Sequence, residues 1–421
     1  MGRVNSSLIS DLCLERIVDM ASEPIVAVEI GTSKVCALVG EAREDGHIMV
    51  TGIGHCSSCG VRKGVIMDLE KASACVQTAI QGAEQSSQVE IGKVFLVISG
   101  EHIRSMTSQG STPVMDVKAG VTQDDMTQVM DIARAVNLPH DRELVHSIPR
   151  KYMVDDQLVV SNPEGMRGAK LSLDMLVVHG ARNVLTNVVQ AVRNVGLDVM
   201  DVAFSGLCAA MATLTPEQKE CGVALLDLGA GTTSYLVYTG GTIALAGVLA
   251  VGGDHITNDI SIGFSVSLKR AEMLKQEAGS VIPDSSMHFQ RIAIPAEVGF
   301  PACSVAASDL SAVIQARMDE TLELMADLFK KQGLTQQLSA GLVLTGGGVH
   351  LKGVVPLAEQ VFDLPCMIGM PVNYSGMATA NEGAEYAVPL GMLRYAVRSG
   401  GYRQTEPIGW GGFLGKLWGR S

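Results

Sequence analysis

The sequence has few basic residues, few aromatic residues and no long apolar run. Lys and Arg number 32 against 44 Asp and Glu, so the formal net charge is −12. This balance argues against nucleic acid as a main partner, because phosphate backbones are bound by basic surfaces. Aromatic residues make up only 4% of the chain although 47% of it is hydrophobic, which favours α/β layers with cores of Ala, Val and Leu. No apolar run reaches the ~18–20 residues of a membrane-spanning helix.

The sequence predicts neither a secretion signal nor a disulfide framework. The N-terminal region carries Asp11, Glu15 and Asp19, a pattern unlike a signal peptide. Nine cysteines, an odd number, predict reduced thiols in the cytosol. Cys56 and Cys59 form a single C-x-x-C pair, which disfavours zinc or redox chemistry there because a structural zinc site normally has four ligands. The length of 421 residues predicts two or more domains.

Residues 224–238 contain the most informative motif. An apolar strand ends in Asp227, crosses a Gly-x-Gly-Thr-Thr turn and returns as a second apolar strand. Glycines permit a tight turn and leave backbone N–H groups free to converge on an anion, and a carboxylate at the strand end suits a hydrated Mg²⁺ beside a phosphate. Taken alone, the motif fits an ordinary hairpin equally well.

A second copy of this motif favours phosphate binding. Residues 25–39 repeat the order of strand, carboxylate, glycine, small hydroxyls and strand, with Glu29 in the place of Asp227. The carboxylates are 227 − 29 = 198 positions apart, which indicates two related lobes rather than a short repeat. A third apolar strand ends in a triple-glycine turn, 346–348.

Together these motifs resemble the actin-like ATPases, which have two phosphate hairpins and a late glycine motif on the adenosine side. More narrowly, the chain is similar to the FtsA family of bacterial cell-division proteins. The segments that carry this resemblance are 29–35, 68–70, 99–103, 204–207, 237–241 and 344–348. Those at 68 and 99 favour the FtsA family over other actin-like families.

The resemblance implies an α/β, actin-like two-lobed fold: duplicated ribonuclease-H-like lobes, an inserted small α/β domain and a C-terminal amphipathic helix. It implies ATP and Mg between the lobes, with Mg²⁺ held through water by Glu29 and Asp227. On a charged amphipathic helix, it implies that Glu272 accepts from ribose hydroxyls and Lys275 flanks the adenine. The implied ATP-binding residues are Gly31, Thr32, Ser33, Lys34, Gly229, Ala230, Gly231, Thr232, Thr233, Glu272, Lys275, Gly346, Gly347 and Gly348.

Helical spacing, turn residues and the resemblance together predict a domain division. Its parts are a mobile N-terminal extension, 1–23; the first lobe core (IA), 24–91 with 183–212 and 376–398; the inserted domain (IC), 92–182; the second lobe core (IIA), 213–265 with 335–375; a small subdomain (IIB), 266–334; a linker, 399–408; and an amphipathic membrane-targeting helix, 409–421.

The last thirteen residues have the pattern of a helix lying in a membrane interface. Five large apolar side chains fall at i, i+3, i+4, i+7 and i+8, which is one helical face, and both tryptophans of the protein are among them. The alternative is a tail that docks on its own core. The apolar positions are Trp410, Phe413, Leu414, Leu417 and Trp418, and the basic residues Lys416 and Arg420 point elsewhere.

The function implied by the resemblance is that of an ATP-binding cell-division protein. It would self-associate, bind the tubulin-like protein FtsZ and other division proteins, and tether the division ring to the cytoplasmic face of the cell membrane as a peripheral protein. At most slow ATP hydrolysis is expected, because Ser205 stands where hydrolysing relatives position the attacking water and no carboxylate or amide is present. The alternatives are a pilus-assembly adaptor, or a sugar or acetate kinase, for which no second-substrate base is found.

Overall fold

The computed structural model describes residues 24–43, 45–159, 162–282, 290–376 and 383–399. The expected N-terminal extension, 1–23, and the expected membrane helix, 409–421, lie outside the described residues. So does the linker beyond Ser399.

The described residues contain nineteen strands in five sheets. In chain order they are β1 (Ile25–Ile30), β2 (Lys34–Ala42), β3 (Ile48–Ser57), β4 (Val61–Arg62), β5 (Val65–Ile66), β6 (Lys93–Ile98), β7 (Arg104–Pro113), β8 (Arg142–Val154), β9 (Gln157–Val159), β10 (Lys170–Ala181), β11 (Asp198–Phe204), β12 (Val223–Leu228), β13 (Thr233–Thr239), β14 (Thr242–Leu249), β15 (Arg291–Ile294), β16 (Cys303–Ala306), β17 (Leu342–Thr345), β18 (Cys366–Ile368) and β19 (Tyr374–Ser375).

Helices cover the sheets and connect them. Those described are α1 (Leu69–Ser87), α2 (Gln123–Arg134), α3 (Arg182–Arg193), α4 (Ser205–Thr213), α5 (Pro216–Cys221), α6 (Gly253–Phe264), α7 (Leu268–Ala278), α8 (Ala307–Lys331), α9 (Val354–Phe362) and α10 (Ala387–Arg398), with 3₁₀ turns at Thr335–Gln337, Gly347–His350 and Ala384–Tyr386.

The two largest sheets share one plan. In the first lobe, β1 pairs antiparallel with β2 and parallel with β6, in the order β11-β6-β1-β2-β3-β19. In the second lobe, β12 pairs antiparallel with β13 and parallel with β17, in the order β14-β13-β12-β17-β18. In each lobe the glycine hairpin therefore stands at the carboxyl end of a buried parallel strand, which is where open α/β sheets bind ligands. The duplicated lobes expected from the two hairpins are confirmed.

Capping residues mark the starts of three helices. Asp68 caps α1 by accepting from Lys71 N at 3.1 Å. Thr122 and Asp125 form a capping box at the start of α2. Ser267 caps α7. Each cap satisfies backbone N–H groups that the first helical turn leaves unpaired.

The inserted module is a four-stranded sheet, β7-β10-β8-β9, covered by α2. Its predicted start at 92 is wrong, because β6 pairs with β1 and β11 in the sheet of the first lobe. A second boundary also changes: β19 pairs with β3, so its two residues belong to the first lobe and not to the expected IIA segment 335–375. Both errors concern parallel pairings between segments far apart in sequence.

The last described helix, α10, returns to the first lobe and packs against α4. A Cβ on Gly391 would lie 1.7 Å from the carbonyl oxygen of Cys208, so only glycine permits this backbone-to-backbone contact. In the second lobe, α8 is held to α6 by a salt bridge from Arg317 to Asp259, with Nε 2.6 Å from Oδ2. These contacts fix the two walls of the cleft between the lobes.

Candidate functional site

A cavity of about 430 Å³ lies between the two lobes. The three glycine turns predicted from the sequence all line it. So do all the predicted ATP and magnesium positions: Glu29, Gly31, Thr32, Ser33, Lys34, Asp227, Gly229, Ala230, Gly231, Thr232, Thr233, Glu272, Lys275, Gly346, Gly347 and Gly348. The predicted membrane-binding residues, 410–420, lie outside the described residues.

The first hairpin is closed by its own backbone and held by Glu385 and Tyr386, just before α10. Gly31 N donates to Lys34 O at 2.9 Å. The Lys34 ammonium donates to Glu385 O at 2.9 Å and lies 3.8 Å from the centre of the Tyr386 ring, a cation–π contact. These two contacts therefore hold the Lys34 ammonium beside the turn.

Glu29 and Asp227 face the cavity from the two lobes. Burial raises the pKa of Glu29 to about 7; the Lys34 charge opposes this shift and the Asp227 charge adds to it. Burial likewise raises the pKa of Asp227 to about 6, against the Lys34 charge. Glu29 Oε2 is buried and has no hydrogen-bond partner among the described residues. Unpaired buried carboxylate oxygens are costly, and a cation beside them would offset that cost.

These two carboxylates fit a hydrated Mg²⁺. Mg²⁺ is usually held by one or two carboxylates together with water and substrate phosphates rather than by a complete protein cage. Consistent with this, the described part of the chain contains no group of three or more His, Cys, Asp or Glu arranged to hold a metal ion. Phosphate oxygens and water would thus have to complete the coordination.

The second hairpin is supported by a helix that the sequence analysis missed. Gly253 N donates to Gly229 O at 3.0 Å and Asp254 N donates to Ala230 O at 2.7 Å, so the start of α6 is bonded to the hairpin. A Cβ on Gly252 would lie 2.6 Å from two hairpin carbonyl oxygens. In the sequence, the adjacent glycines Gly252 and Gly253 after β14 were the one indication that this segment approaches another turn closely.

One predicted phosphate ligand has a structural role as well. The Thr233 hydroxyl is buried and donates to Val251 O at 2.9 Å. The hydroxyl proton is therefore used within the protein and is not offered to a phosphate. The sequence pattern does not distinguish this threonine from its neighbour Thr232.

A short segment, residues 57–64, contacts both hairpins and was also missed; it contains the last residue of β3, the two-residue strand β4 and the turns on either side of β4. Ser58 N donates to Ser33 O at 2.9 Å. Gly64 N donates to the Thr32 hydroxyl at 3.1 Å. A Cβ on Gly231 would lie 2.9 Å from Lys63 Cα, so the same loop packs against the second hairpin. We name this segment the bridging loop.

The far wall of the cavity is polar and preorganised. The Lys275 ammonium lies 2.7 Å from Glu272 Oε2 and donates to Gly253 O at 3.0 Å and to the Thr257 hydroxyl at 2.9 Å. Burial disfavours the Glu272 carboxylate, but hydrogen bonds from Lys275 and Thr257 outweigh it and hold the pKa of Glu272 below its ordinary value. Both predicted residues of α7 therefore present fixed charges to the cavity.

Three serine hydroxyls lie at the base of the cleft. Ser234 is within 2.9 Å of Ser205 and 3.3 Å of Ser99, oxygen to oxygen. Ser205 is the first residue of α4, the helix between the lobes. Hydroxyls that bond one another are weak bases, so the chemistry available here is hydrogen bonding rather than proton abstraction.

Family models match two parts of the chain. The model "Cell division protein FtsA" matches residues 224–391, and "SHS2 domain inserted in FTSA" matches residues 100–179. The second match starts after β6, in agreement with the corrected start of the inserted module.

Whole-chain relatives carry the same description. Cell division protein FtsA of Pseudomonas aeruginosa is 34% identical over 374 residues, 89% of this chain and 89% of that protein. That of Escherichia coli K12 is 33% identical over 89% of this chain and 90% of its own length. That of Neisseria meningitidis serogroup B is 32% identical over 93% and 96%.

Solved structures share the fold at low identity. A type IV pilus biogenesis complex, PilM–PilN, aligns over 89% of this chain and 98% of that chain, with a TM-score of 0.62 and 15% identity. MreB5 of Spiroplasma citri bound to ADP aligns over 90% and 99%, with a TM-score of 0.53 and 15% identity. At this identity the likeness shows the actin-like fold alone.

Among the described residues, no helix has the length and apolarity to cross a bilayer.

Proposed function

Because this chain belongs to the FtsA family of cell division proteins, we propose that it binds ATP with Mg²⁺ between its two lobes and acts in division as a nucleotide-dependent polymer. The observation that carries the proposal is the buried Oε2 of Glu29, which has no hydrogen-bond partner in the described part of the chain and lies with Asp227 in a cavity lined by three glycine turns. Such an arrangement is costly for the protein unless a cation and an anion complete it.

Each wall of the cavity supplies a different part of the nucleotide site. The N–H groups of the two hairpins are the donors for phosphate oxygens, and Lys34 supplies a fixed positive charge. Glu272 and Lys275 are assigned to the nucleoside side. Mg²⁺, when bound, would neutralise phosphate charge. The solved relative MreB5 was crystallised with ADP and with AMPPNP, which supports nucleotide as the ligand class.

Titration of a fluorescent ATP analogue into the full chain with Mg²⁺ tests the proposal. The Asp227→Asn variant removes one carboxylate charge at nearly constant volume, and its affinity is expected to fall about tenfold or more, since hydrogen bonds and contacts to charged groups contribute roughly 1.5–3 kcal/mol. Asp198→Asn, an exposed change on β11, is the matched control and should leave affinity unaltered. Wild-type protein that shows no saturable binding contradicts the proposal.

We further propose that the protein self-associates, binds FtsZ and other division proteins, and attaches to the cytoplasmic face of the membrane through residues 409–421. Family membership supports the division role, and the aromatic stripe of the tail supports attachment. Burying five large apolar side chains contributes roughly 7–15 kcal/mol gross, most of which is offset by ordering a glycine-interrupted segment. One tail is then a reversible anchor, and polymerisation would multiply tails and raise avidity.

Liposome co-sedimentation tests the attachment. Full-length protein is expected to pellet with anionic vesicles, whereas a chain ending at Gly401 is expected to stay in the supernatant. The truncated chain should still bind the ATP analogue, which shows that it is folded. Equal pelleting of the two chains would rule out the tail as the anchor. Recruitment of purified FtsZ to vesicles only in the presence of the full-length protein tests the partner.

A further inference from the structure

An exposed apolar segment without charged residues follows the edge of the second lobe. Residues 366–372 read Cys-Met-Ile-Gly-Met-Pro-Val and begin with β18, the edge strand of its sheet. Ile368 and Val372 are each 42% exposed and Met370 is 41% exposed, whereas Gly369 is buried. Three exposed apolar side chains therefore alternate along one side of this segment. We name Ile368, Met370 and Val372 the apolar strip.

The backbone of the apolar strip is fixed to the protein behind it. Gly369 N donates to Leu344 O at 2.8 Å, and Val372 N donates to Ala212 O at 3.0 Å. Pro371 favours an extended backbone at the residue before it. Edge strands are commonly protected by charged side chains or covered by another segment, and a row of exposed apolar side chains marks an interaction surface. The strip is therefore held in place on one side and open on the other.

The described part of the chain ends beside the apolar strip. Arg394, one turn before the end of α10, donates to Val372 O at 2.6 Å. Ser399, the last described residue, is five positions further on, which is roughly 8 Å along a helix axis. The nine residues 400–408 can span up to ~30 Å when extended. Residues 409–421, the tail, are therefore within reach of the strip.

The tail also matches the strip in length and charge. A helix of thirteen residues would be ~20 Å long, and the seven extended residues 366–372 span nearly the same length. The basic residues Lys416 and Arg420 stand near the end of the tail. At the start of β18, the exposed Glu359 accepts from Cys366 N at 3.3 Å. A tail that enters near residue 372 and runs towards residue 366 would bring these opposite charges together.

We propose that, away from a membrane, the tail docks its apolar face on the apolar strip of the same chain, and that this contact competes with lipid. The inference rests on the proposed function, since it concerns the segment proposed to attach to the membrane. One helical face cannot contact the strip and a bilayer at once, so the two states exclude each other. The apparent affinity for vesicles is then reduced in proportion to the undocked fraction.

Intrinsic fluorescence reports on the tail alone, because Trp410 and Trp418 are the two tryptophans of the protein. The test compares the full chain with its Ile368→Ser/Val372→Ser double variant, which removes two apolar side chains of the strip. Without vesicles, the emission of the double variant should shift to longer wavelength and its quenching by iodide should increase. Its affinity for anionic vesicles should rise roughly tenfold, which corresponds to about nine docked tails in ten in the wild type.

A matched control removes the same two side-chain types elsewhere. Ile132 and Val117 belong to the inserted module and are 42% and 52% exposed. The Ile132→Ser/Val117→Ser double variant should have the emission, quenching and vesicle affinity of the wild type. Urea denaturation checks that both double variants are folded. Amide hydrogen exchange locates the contact, because residues 366–372 should exchange more slowly in the full chain than in a chain ending at Gly401.

Several outcomes would overturn the proposal. They are equal iodide quenching of the wild type and the strip variant, equal exchange in the full and shortened chains, an unchanged vesicle affinity, and a control variant that changes as much as the strip variant. Emission that depends on protein concentration would also overturn it, since the occupant would then be a second copy. Failure of the proposed attachment is distinguishable, because no variant would pellet with vesicles while the fluorescence change without vesicles would persist.

Discussion

Gly346 leaves the space that the Asp227 carboxylate occupies. A Cβ on Gly346 would lie 2.3 Å from Asp227 Oδ1 and 2.8 Å from the carbonyl oxygen of Leu228. Gly346 also has a φ of +83°, which L side chains rarely adopt. The triple-glycine turn thus shapes the acidic side of the cleft, in addition to any contact with a ligand.

Gly346→Ala should destabilise the protein by roughly 2–4 kcal/mol, because it adds backbone strain to a steric clash. Urea denaturation followed by circular dichroism measures this loss. Gly347→Ala is the matched control, since a Cβ there meets no atom within 4 Å and should change stability by less than about 0.5 kcal/mol. Equal stabilities for the two variants would contradict the assigned role of Gly346.

The stability of the nucleotide-free protein should depend on the protonation of Glu29. Its pKa is raised by burial from 4.5 to about 7, so the folded chain holds a proton that the unfolded chain has released. The stabilisation is complete below the unfolded pKa and is lost as the pH rises to the folded pKa. The free energy of unfolding should therefore fall by up to about 1.4 kcal/mol per pH unit over this window because of Glu29 alone.

Urea denaturation at several pH values between about 5 and about 7 measures this slope. Glu29→Gln cannot titrate, so its slope should be shallower than that of the wild type. The exposed change Glu90→Gln should leave the slope as it is. A Glu29→Gln variant with the wild-type slope would show that this carboxyl is already ionised in the folded protein.

Glu272 on α7 should contact the nucleoside part of ATP rather than its phosphates. Glu272→Gln should reduce affinity for ATP roughly tenfold and leave affinity for inorganic tripolyphosphate unchanged. Competition against the fluorescent ATP analogue measures both. Glu277→Gln, an exposed change on the same helix, should alter neither. A parallel loss for ATP and tripolyphosphate in Glu272→Gln would place this residue near the phosphates instead.

Hydrolysis should be slow even when the cleft is saturated with ATP. The base of the cleft offers the hydroxyls of Ser99 and Ser205, both within hydrogen-bonding distance of the buried Ser234 hydroxyl, and a hydroxyl positions water less effectively than a carboxylate or amide. Phosphate release from the polymerised protein on vesicles measures turnover. A rate of about one per second, within the usual enzyme range, would contradict this expectation and require a base from another subunit.

Local chemistry explains which parts of the fold the sequence predicts. The hairpins at Glu29 and Asp227 each depend on residues within a few positions of one another, so the sequence pattern alone predicts them. Both are confirmed. The carboxylates and glycine turns of the site follow from the same local patterns.

Non-local pairing explains the errors. The strand β6 is an apolar run whose parallel partner β1 lies far away in sequence, so nothing nearby distinguishes the end of one module from the start of the next. The strand β11 and the helix α6 were missed because β11 contains polar positions and α6 begins with glycine. The contacts of the bridging loop to the two hairpins join residues far apart in sequence, which no periodicity reports.

The hydrogen bond from the Lys34 ammonium to Glu385 O joins residues 351 positions apart. During synthesis from the N-terminus, the first hairpin is made long before its lysine can reach that carbonyl, and the last residue that lines the cleft is Val388. The complete cleft therefore cannot form on the first glycine hairpin and its neighbouring strands alone; it requires the second lobe and the segment that returns from it.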